Sequence, residues 1–89
     1  MNKEAKRVER YFKGSANHWR IAILWLIGDK PNINVDSIAD ELNANIKTIS
    51  QHISKLHQFG LVDKKYLGRT VTHQLSPYGK RFYHFTKTF

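Results

Sequence analysis

A set of short polar and basic side chains shares one face of the segment Asn45–Val62. The apolar residues of this segment recur at spacings of three and four, which predicts one stripe of an α-helix: Ile46, Ile49, Ile53 and Leu56. The opposite face contains no carboxylate and consists of Lys47, Ser50, Gln51, Ser54, Lys55 and Gln58. Such a face offers hydrogen-bonding groups and positive charge, so it could lie against a polyanion.

Both ends of this segment carry residues that favour helix boundaries. Asn45 stands where an N-cap belongs, because its side-chain oxygen can accept a backbone N–H of the first turn. Gly60 stands where a helix C-terminus needs a residue that tolerates positive φ. The sequence therefore predicts a helix over Asn45–Phe59 that is buried on one side only.

The distribution of charge supports an anionic partner. The net charge is +8. Residues 1–44 hold seven Lys or Arg against six Asp or Glu, whereas residues 45–89 hold eight against Asp63 alone. This one-sided excess suits nucleic acid or an anionic membrane surface. A solvated basic tail would not also carry apolar periodicity.

Length and composition exclude several classes of protein. Eighty-nine residues predict a single domain over 1–89 with one modest core. The absence of cysteine excludes disulfides and thiolate zinc sites, and it is compatible with the cytoplasm. The longest apolar run, Ile21–Ile27, is too short to span a membrane. No glycine-rich phosphate loop or nucleophile elbow is present, so we expect neither an enzyme nor a cofactor.

The elements around the polar helix follow from periodicity and turn residues. We expect a helix over Lys3–Lys13 that ends at Gly14, then a central helix over Ala16–Ile27 capped by Ser15. Trp19 and Trp25 of the central helix are expected in the core, although they could instead line an effector pocket. The remaining predicted elements are a turn at Gly28–Asn32, a short helix within Ile33–Leu42 capped by Asn34, a turn at Asn43–Ala44, strands at Leu61–Leu67 and Thr70–Leu75 joined at Gly68–Arg69, and an aromatic helix over Tyr78–Phe89 introduced by Ser76–Pro77.

The resulting fold class is mainly α-helical with a small β-hairpin, in the order α-α-α-α-β-β-α. Two helices joined by a tight turn and followed by a hairpin form a winged helix-turn-helix. The sequence more closely resembles the ArsR-type regulators of bacteria and archaea. The residues that carry this resemblance are Val35, Ile38, Ala39 and Leu42, then Thr48 to Ile53 with Leu56, Gly60, Leu61 and Val62, then Gly68, Arg69, Val71, Leu75 and Ser76. The ending Leu75-Ser76-x-x-Gly79-Lys80 is also similar to MarR-like and PadR-like winged helices.

The resemblance implies a homodimer in which the first and last helices form the two-fold interface. It implies a repressor whose recognition helices enter successive major grooves of double-stranded DNA at an inverted repeat, with each wing on phosphates or the minor groove. Metal-sensing members carry a Cys-x-Cys motif on the short helix or acidic and His ligands on the last helix. Asn34–Ser37 and the carboxylate-free last helix match neither pattern, so we expect no metal.

Individual residues can be assigned expected roles at the DNA. We expect Lys47, Thr48, Ser50 and Gln51 to reach bases or phosphates, because Lys can address guanine and Gln can pair with adenine. Ser54 and Lys55 lie further along and would meet the backbone, and Asn45 begins the same surface. On the wing we expect backbone or minor-groove contacts from Lys64, Lys65, Arg69 and Thr70.

Alternatives from other classes stay open at this point. The same fold could serve as a protein–protein interaction module for an acidic partner, or as a non-specific nucleic-acid binder. The polar helix face could be merely solvated, and the lysines could only protect the hairpin edge. The five histidines form no His-x-x-x-His pair, which favours structural roles, although His84 could reach a site shared between subunits.

Overall fold

The computed structural model describes residues 2–89, which form five helices and one hairpin. Their order is the expected one: α1 (Lys3–Ser15), α2 (His18–Asp29), α3 (Val35–Glu41), α4 (Ile46–Gln58), β1 (Val62–Leu67), β2 (Thr70–Leu75) and α5 (Pro77–Thr86). The predicted fold class is confirmed. No helix in this part of the chain has the length and apolarity needed to cross a membrane.

Every helix begins at a residue whose side chain accepts backbone N–H groups of the first turn, a typical N-cap. The caps are Asn2, Asn17, Asn34, Asn45 and Ser76. The predicted caps Asn34, Asn45 and Ser76 are therefore confirmed, as is Pro77 in the first turn of α5. Gly60 has φ of +80° beyond the end of α4, and Gly68 has φ of +64° at the hairpin tip.

Two helix boundaries differ from the predictions near the N-terminus. Gly14 lies inside α1 rather than ending it, and α2 is capped by Asn17 rather than Ser15. The Ser15 hydroxyl instead donates a hydrogen bond to the carbonyl of Phe12 within α1. Phe59 packs against Gly14, and a Cβ there would lie 2.6 Å from that of Phe59. The close approach of Phe59 therefore explains a glycine at this helical position.

The predicted turn after α2 also begins too early in the chain. Gly28 belongs to α2, where the ring of Tyr83 occupies the space that a Cβ would need. The chain turns instead at Lys30–Asn32, and Asn32 has φ of +71°. The last helix ends at Thr86, short of the predicted Phe89. Thr86 Oγ1 accepts a hydrogen bond from Trp25 Nε1 at 2.8 Å, which ties this end to α2.

The core lies around α2, which packs against α1, α4, α5 and β2. The predicted central helix is therefore confirmed. Trp19 and Trp25, which were expected in the core, are half-buried and pack against it rather than within it. The core residues are Ile23, Leu24, Ile27, Ile33, Ile38, Ala39, Ile49, Ile53, Leu56, Leu61, Val62 and Leu75. Ile46 is the exception in the α4 stripe, because it is 44% exposed.

The two strands form an antiparallel hairpin in which Val62 pairs with Leu75 and Leu67 with Thr70. A further β-bridge joins Ile33, in the loop before α3, to His73 of β2. The wing is thereby attached to the helix-turn-helix through backbone hydrogen bonds as well as through the chain itself.

Candidate nucleic-acid interface

Helices α3 and α4 form the helix-turn-helix, and the turn between them depends on Asn43. This residue adopts φ of +49°, a left-handed conformation that asparagine tolerates better than most residues. The backbone N–H of Ala44 returns to the carbonyl of Ala39 at 2.9 Å, which closes the turn. Lys30 beyond α2 forms an ion pair with Glu41 of α3 at 2.5 Å. This exposed pair links the end of α2 to α3, whereas α4 packs directly against both α2 and α3.

All seven residues proposed for the recognition helix are exposed to solvent: Asn45, Lys47, Thr48, Ser50, Gln51, Ser54 and Lys55. The buried side of α4 consists of Ile49, Ile53 and Leu56, so the two faces separate as the periodicity predicts. Asn45 Oδ1 is already occupied by the N–H groups of Lys47 and Thr48, at 2.8 and 3.3 Å. Only the side-chain NH₂ of Asn45 is available for a partner.

Five of these seven residues line one shallow groove along α4. Thr48 and Asn45 lie outside it, toward the helix start. Three basic side chains and one imidazole line the groove, and none of its lining residues is a carboxylate. The lining residues are Arg20, Lys47, Ser50, Gln51, His52, Ser54, Lys55 and Gln58. Hydroxyl, amide, ammonium and guanidinium groups therefore face solvent together, a composition suited to the phosphates and base edges of a duplex.

The wing residues do not all share one surface. Successive side chains of a strand point to opposite faces, so Lys64 and Lys65 are separated although they are adjacent in sequence. Lys64 is half-buried and pairs across the hairpin with His73, whereas Lys65 is exposed and pairs with Thr72. Arg69 and Thr70 are exposed beside Gly68 at the tip. The hairpin thus offers Lys65, Arg69 and Thr70 to a partner more directly than it offers Lys64.

His52 lies on the groove and has an unusual electrostatic environment. Partial burial lowers the pKa of the imidazole, and the positive charge of Arg20 and the nearby His18 lower it further. The neutral form of His52 is therefore favoured in the free protein. The resemblance to the family gave no role to Arg20 or His18, which belong to α2.

Arg20 lines the groove although no motif in the sequence assigned it to this surface. A signal was present, since Arg20 is the one charged residue in the otherwise apolar or small stretch Trp19–Gly28. Its proximity to α4 depends on the packing of α2 against α4, which no local pattern reveals.

A helix-turn-helix followed by a hairpin defines a winged helix-turn-helix protein, and the comparisons place this chain within one family. The chain belongs to the MarR family, whose family model matches residues 17–66. This match covers α2, the helix-turn-helix and most of β1. No curated protein sequence matches the chain.

Several solved structures have the same fold. HlyU from Vibrio cholerae is 26% identical, with a TM-score of 0.89 over 99% of this chain and 96% of that one. The homodimeric DNA-binding domain Mb0332 from Mycobacterium bovis, a possible ArsR-family regulator, is 24% identical, with a TM-score of 0.86 over 99% and 84%. FabT from Streptococcus pneumoniae, solved in complex with DNA, is 16% identical, with a TM-score of 0.76 over 97% and 66%. The last two identities are low enough that they establish the fold alone.

These findings confirm the prediction, made from the sequence, that the chain resembles winged helix-turn-helix regulators. The matched family model is the MarR one, and ArsR-like proteins are among the structural neighbours. The chain is accordingly a DNA-binding transcription regulator rather than an enzyme.

Proposed function

We propose that this chain is a homodimeric repressor that recognises an inverted repeat in double-stranded DNA through α4. The observation that carries the proposal is the carboxylate-free, solvent-exposed face of α4 beside a buried stripe. Lys47, Thr48, Ser50 and Gln51 would reach base edges or phosphates, while Ser54 and Lys55 would contact the backbone. The exposed wing residues Lys65, Arg69 and Thr70 would bind the flanking backbone or minor groove, with Lys64 as a more distant contributor.

Exposed aromatic side chains support the homodimer. Phe12 of α1 and Phe85 of α5 are each 52% exposed and line one apolar depression with Phe82. An exposed apolar patch of this kind is typical of a protein–protein contact. A second copy related by a two-fold axis would cover both patches at once and would place two α4 helices on half-sites about one helical turn apart.

Selection of bound duplexes from a random pool tests this proposal. Sequences related by two-fold symmetry are expected, and binding should weaken steeply with salt because phosphate contacts release counterions. Lys47→Ala combined with Gln51→Ala should reduce affinity for the selected duplex by roughly 30-fold or more, since a bidentate base contact contributes about 1–3 kcal/mol. The circular dichroism spectrum and the thermal unfolding of the double variant should resemble those of the parent.

Lys6→Ala is the matched control, because Lys6 is an exposed cation on α1 outside the groove. The control should retain sequence preference. If the double variant binds every duplex as the parent does, α4 does not read bases. Salt-insensitive or undetectable duplex binding by the parent would instead favour a protein–protein interaction module, and equal binding to all sequences would favour a non-specific nucleic-acid binder.

A further inference from the structure

Arg20 occupies a position at which its charge is partly enclosed by two helices. It stands in the first turn of α2, is half-buried, and lines the groove whose other lining residues belong to α4. Most of α2 is apolar and faces the core. A charged residue is costly in such a helix unless its head group reaches solvent or a partner, and the head group here emerges beside the recognition helix.

Within residues 2–89 the Arg20 guanidinium has no hydrogen-bond or ion-pair partner. Arg20 Nε is buried and has no hydrogen-bond acceptor, and Arg20 takes part in none of the ion pairs found in residues 2–89. Arg7, by contrast, pairs with Glu4 and donates to the hydroxyl of Tyr78. A buried donor without an acceptor costs stability, so an acceptor supplied from outside the chain would be favoured at this guanidinium.

The chemistry of the groove identifies that acceptor as an anion. None of the residues that line it is Asp or Glu, and Lys47 and Lys55 add positive charge to that of Arg20. The planar guanidinium fork matches the oxygens of a phosphate in geometry. The groove is shallow and open along its length, so it could not enclose a small molecule, whereas the backbone of a duplex could run across it.

We propose that Arg20 of α2 binds a backbone phosphate of the duplex, next to the base pairs that α4 faces, and so sets the depth of α4 in the major groove. This inference rests on the proposed DNA binding. It adds a contact from the central helix, which is rigidly packed in the core, to contacts that otherwise come from α4 and the wing. A phosphate held from α2 would position α4 without carrying sequence information itself.

Salt titrations with Arg20→Gln test the contact. Affinity for a 30-base-pair duplex selected by the parent should fall by roughly 10-fold or more, because a charge-assisted hydrogen bond is lost. The slope of log affinity against log salt concentration should become shallower by about 1, the value for one phosphate contact. The ratio of affinities for the selected and a scrambled duplex should stay within about threefold of the parent's ratio.

Two further variants separate the contact from net charge and from folding. Lys6→Gln removes one positive charge from exposed α1 and should alter the salt slope much less than Arg20→Gln does. Arg20→Met retains an unbranched apolar side chain. It is therefore expected to preserve the packing of α2 in case Arg20→Gln disturbs the fold. Thermal unfolding of each variant identifies which of the two remains folded, and that variant is then used for the titration.

Neutral methylphosphonates, substituted one position at a time into the same duplex, locate the phosphate. At one position on each half-site, the methylphosphonate should reduce the parent's affinity by about the same factor as Arg20→Gln does. The same methylphosphonate should reduce the affinity of the Arg20→Gln variant much less. If no position shows this difference, or if the salt slope is unchanged, Arg20 does not bind a phosphate. A parent that binds no duplex overturns the proposed function as well, whereas a variant that binds as the parent does overturns only this contact.

Discussion

His73 of the wing and Ile33 of the loop before α3 are joined through a single carbonyl oxygen. The Ile33 carbonyl accepts hydrogen bonds from both the backbone N–H and the Nδ1–H of His73, each at 3.0 Å. The N–H of Asn32 returns to the His73 carbonyl at 2.9 Å. Because a carbonyl can only accept, the neutral His73 imidazole carries its proton on Nδ1. This pair attaches the wing to the helix-turn-helix.

Folding stability should fall as the pH is lowered through the range in which His73 titrates. The side chain is 3% exposed, and burial lowers the pKa of the imidazole more than the hydrogen bond to Ile33 raises it; Lys64 and His57 lower it further. The unfolded chain therefore binds more protons than the native one at mildly acidic pH, so the free energy of unfolding rises with pH. The full stabilisation is present above about pH 6.5 and is lost below it.

His73→Asn tests this dependence, because an asparagine NH₂ can still donate to the Ile33 carbonyl and does not titrate. Urea unfolding between about pH 7.5 and 5.5 should show a shallower loss of stability than in the parent. Some dependence should persist, since the pKa of His52 is also lowered. His84→Asn, at an exposed position on α5, is the control and should keep the parent's pH dependence. An unchanged slope in His73→Asn would exclude His73 as its source.

The features of the fold that could be predicted from the sequence are those determined by interactions between residues close together in the chain. The N-caps Asn34 and Asn45, the positive φ at Gly60 and the buried stripe of α4 are local, so spacing and residue type were sufficient to predict them. The start of α2 was predicted wrongly because Ser15 and Asn17 are both good caps, and local residue type does not distinguish them. Arg20 was missed because it joins the α4 face only through tertiary packing.

Association of two copies should depend on the exposed aromatic patch formed by α1 and α5. Phe12 packs edge-on against Phe82, with ring centroids 5.0 Å apart, and Phe85 completes the exposed depression. Phe85→Glu would place a charge where the partner's apolar surface is expected, and desolvating that charge opposes association. Sedimentation should show the parent as a dimer and the variant shifted toward the 10.4 kDa monomer.

Tyr66→Glu is the control for this experiment, because Tyr66 is 69% exposed on the wing and away from the patch. It should sediment as the parent does. A parent that remains a monomer at high concentration would overturn the two-fold arrangement. A Phe85→Glu variant that still dimerises fully would place the interface on another surface.

Close packing at the start of α5 should make Gly79 intolerant of any side chain. A Cβ at Gly79 would lie 1.9 Å from the carbonyl oxygen of Leu61, which is backbone and already accepts the N–H of Ser76. Ser76 Oγ also donates a hydrogen bond to the carbonyl of Gly60 at 2.6 Å. Two hydrogen bonds from Ser76 therefore hold the start of α5 against Gly60 and Leu61. Gly79→Ala should lower the free energy of unfolding by about 3 kcal/mol or more, since neither backbone can yield cheaply.

Gly68→Ala separates steric conflict from backbone strain in the same denaturation experiment. Gly68 has φ of +64°, but no atom lies within 4 Å of the position that its Cβ would take. Only the left-handed conformation opposes the substitution, at a cost of about 1–2 kcal/mol. If Gly79→Ala proves no more destabilising than Gly68→Ala, α5 does not pack against Leu61 as closely as described.

Arg69 at the tip of the wing should contribute to DNA affinity without contributing much to sequence preference. It is exposed beside Gly68, and no ion pair within residues 2–89 holds its guanidinium. A cation at this position can reach phosphates or the minor groove, where readout is degenerate. Arg69→Ala should weaken binding to selected and scrambled duplexes by similar factors and reduce the salt slope by about 1.

Arg69→Lys distinguishes the two kinds of wing contact. A phosphate contact needs mainly the charge, so lysine should restore most of the affinity on every duplex. Insertion of an arginine into a narrow minor groove depends on A·T-rich flanks, so lysine should then fail chiefly on duplexes with such flanks. Fluorescence anisotropy with A·T-rich and G·C-rich flanks around one selected core measures both cases. If Arg69→Ala binds all of these duplexes as tightly as the parent, the wing tip does not touch DNA.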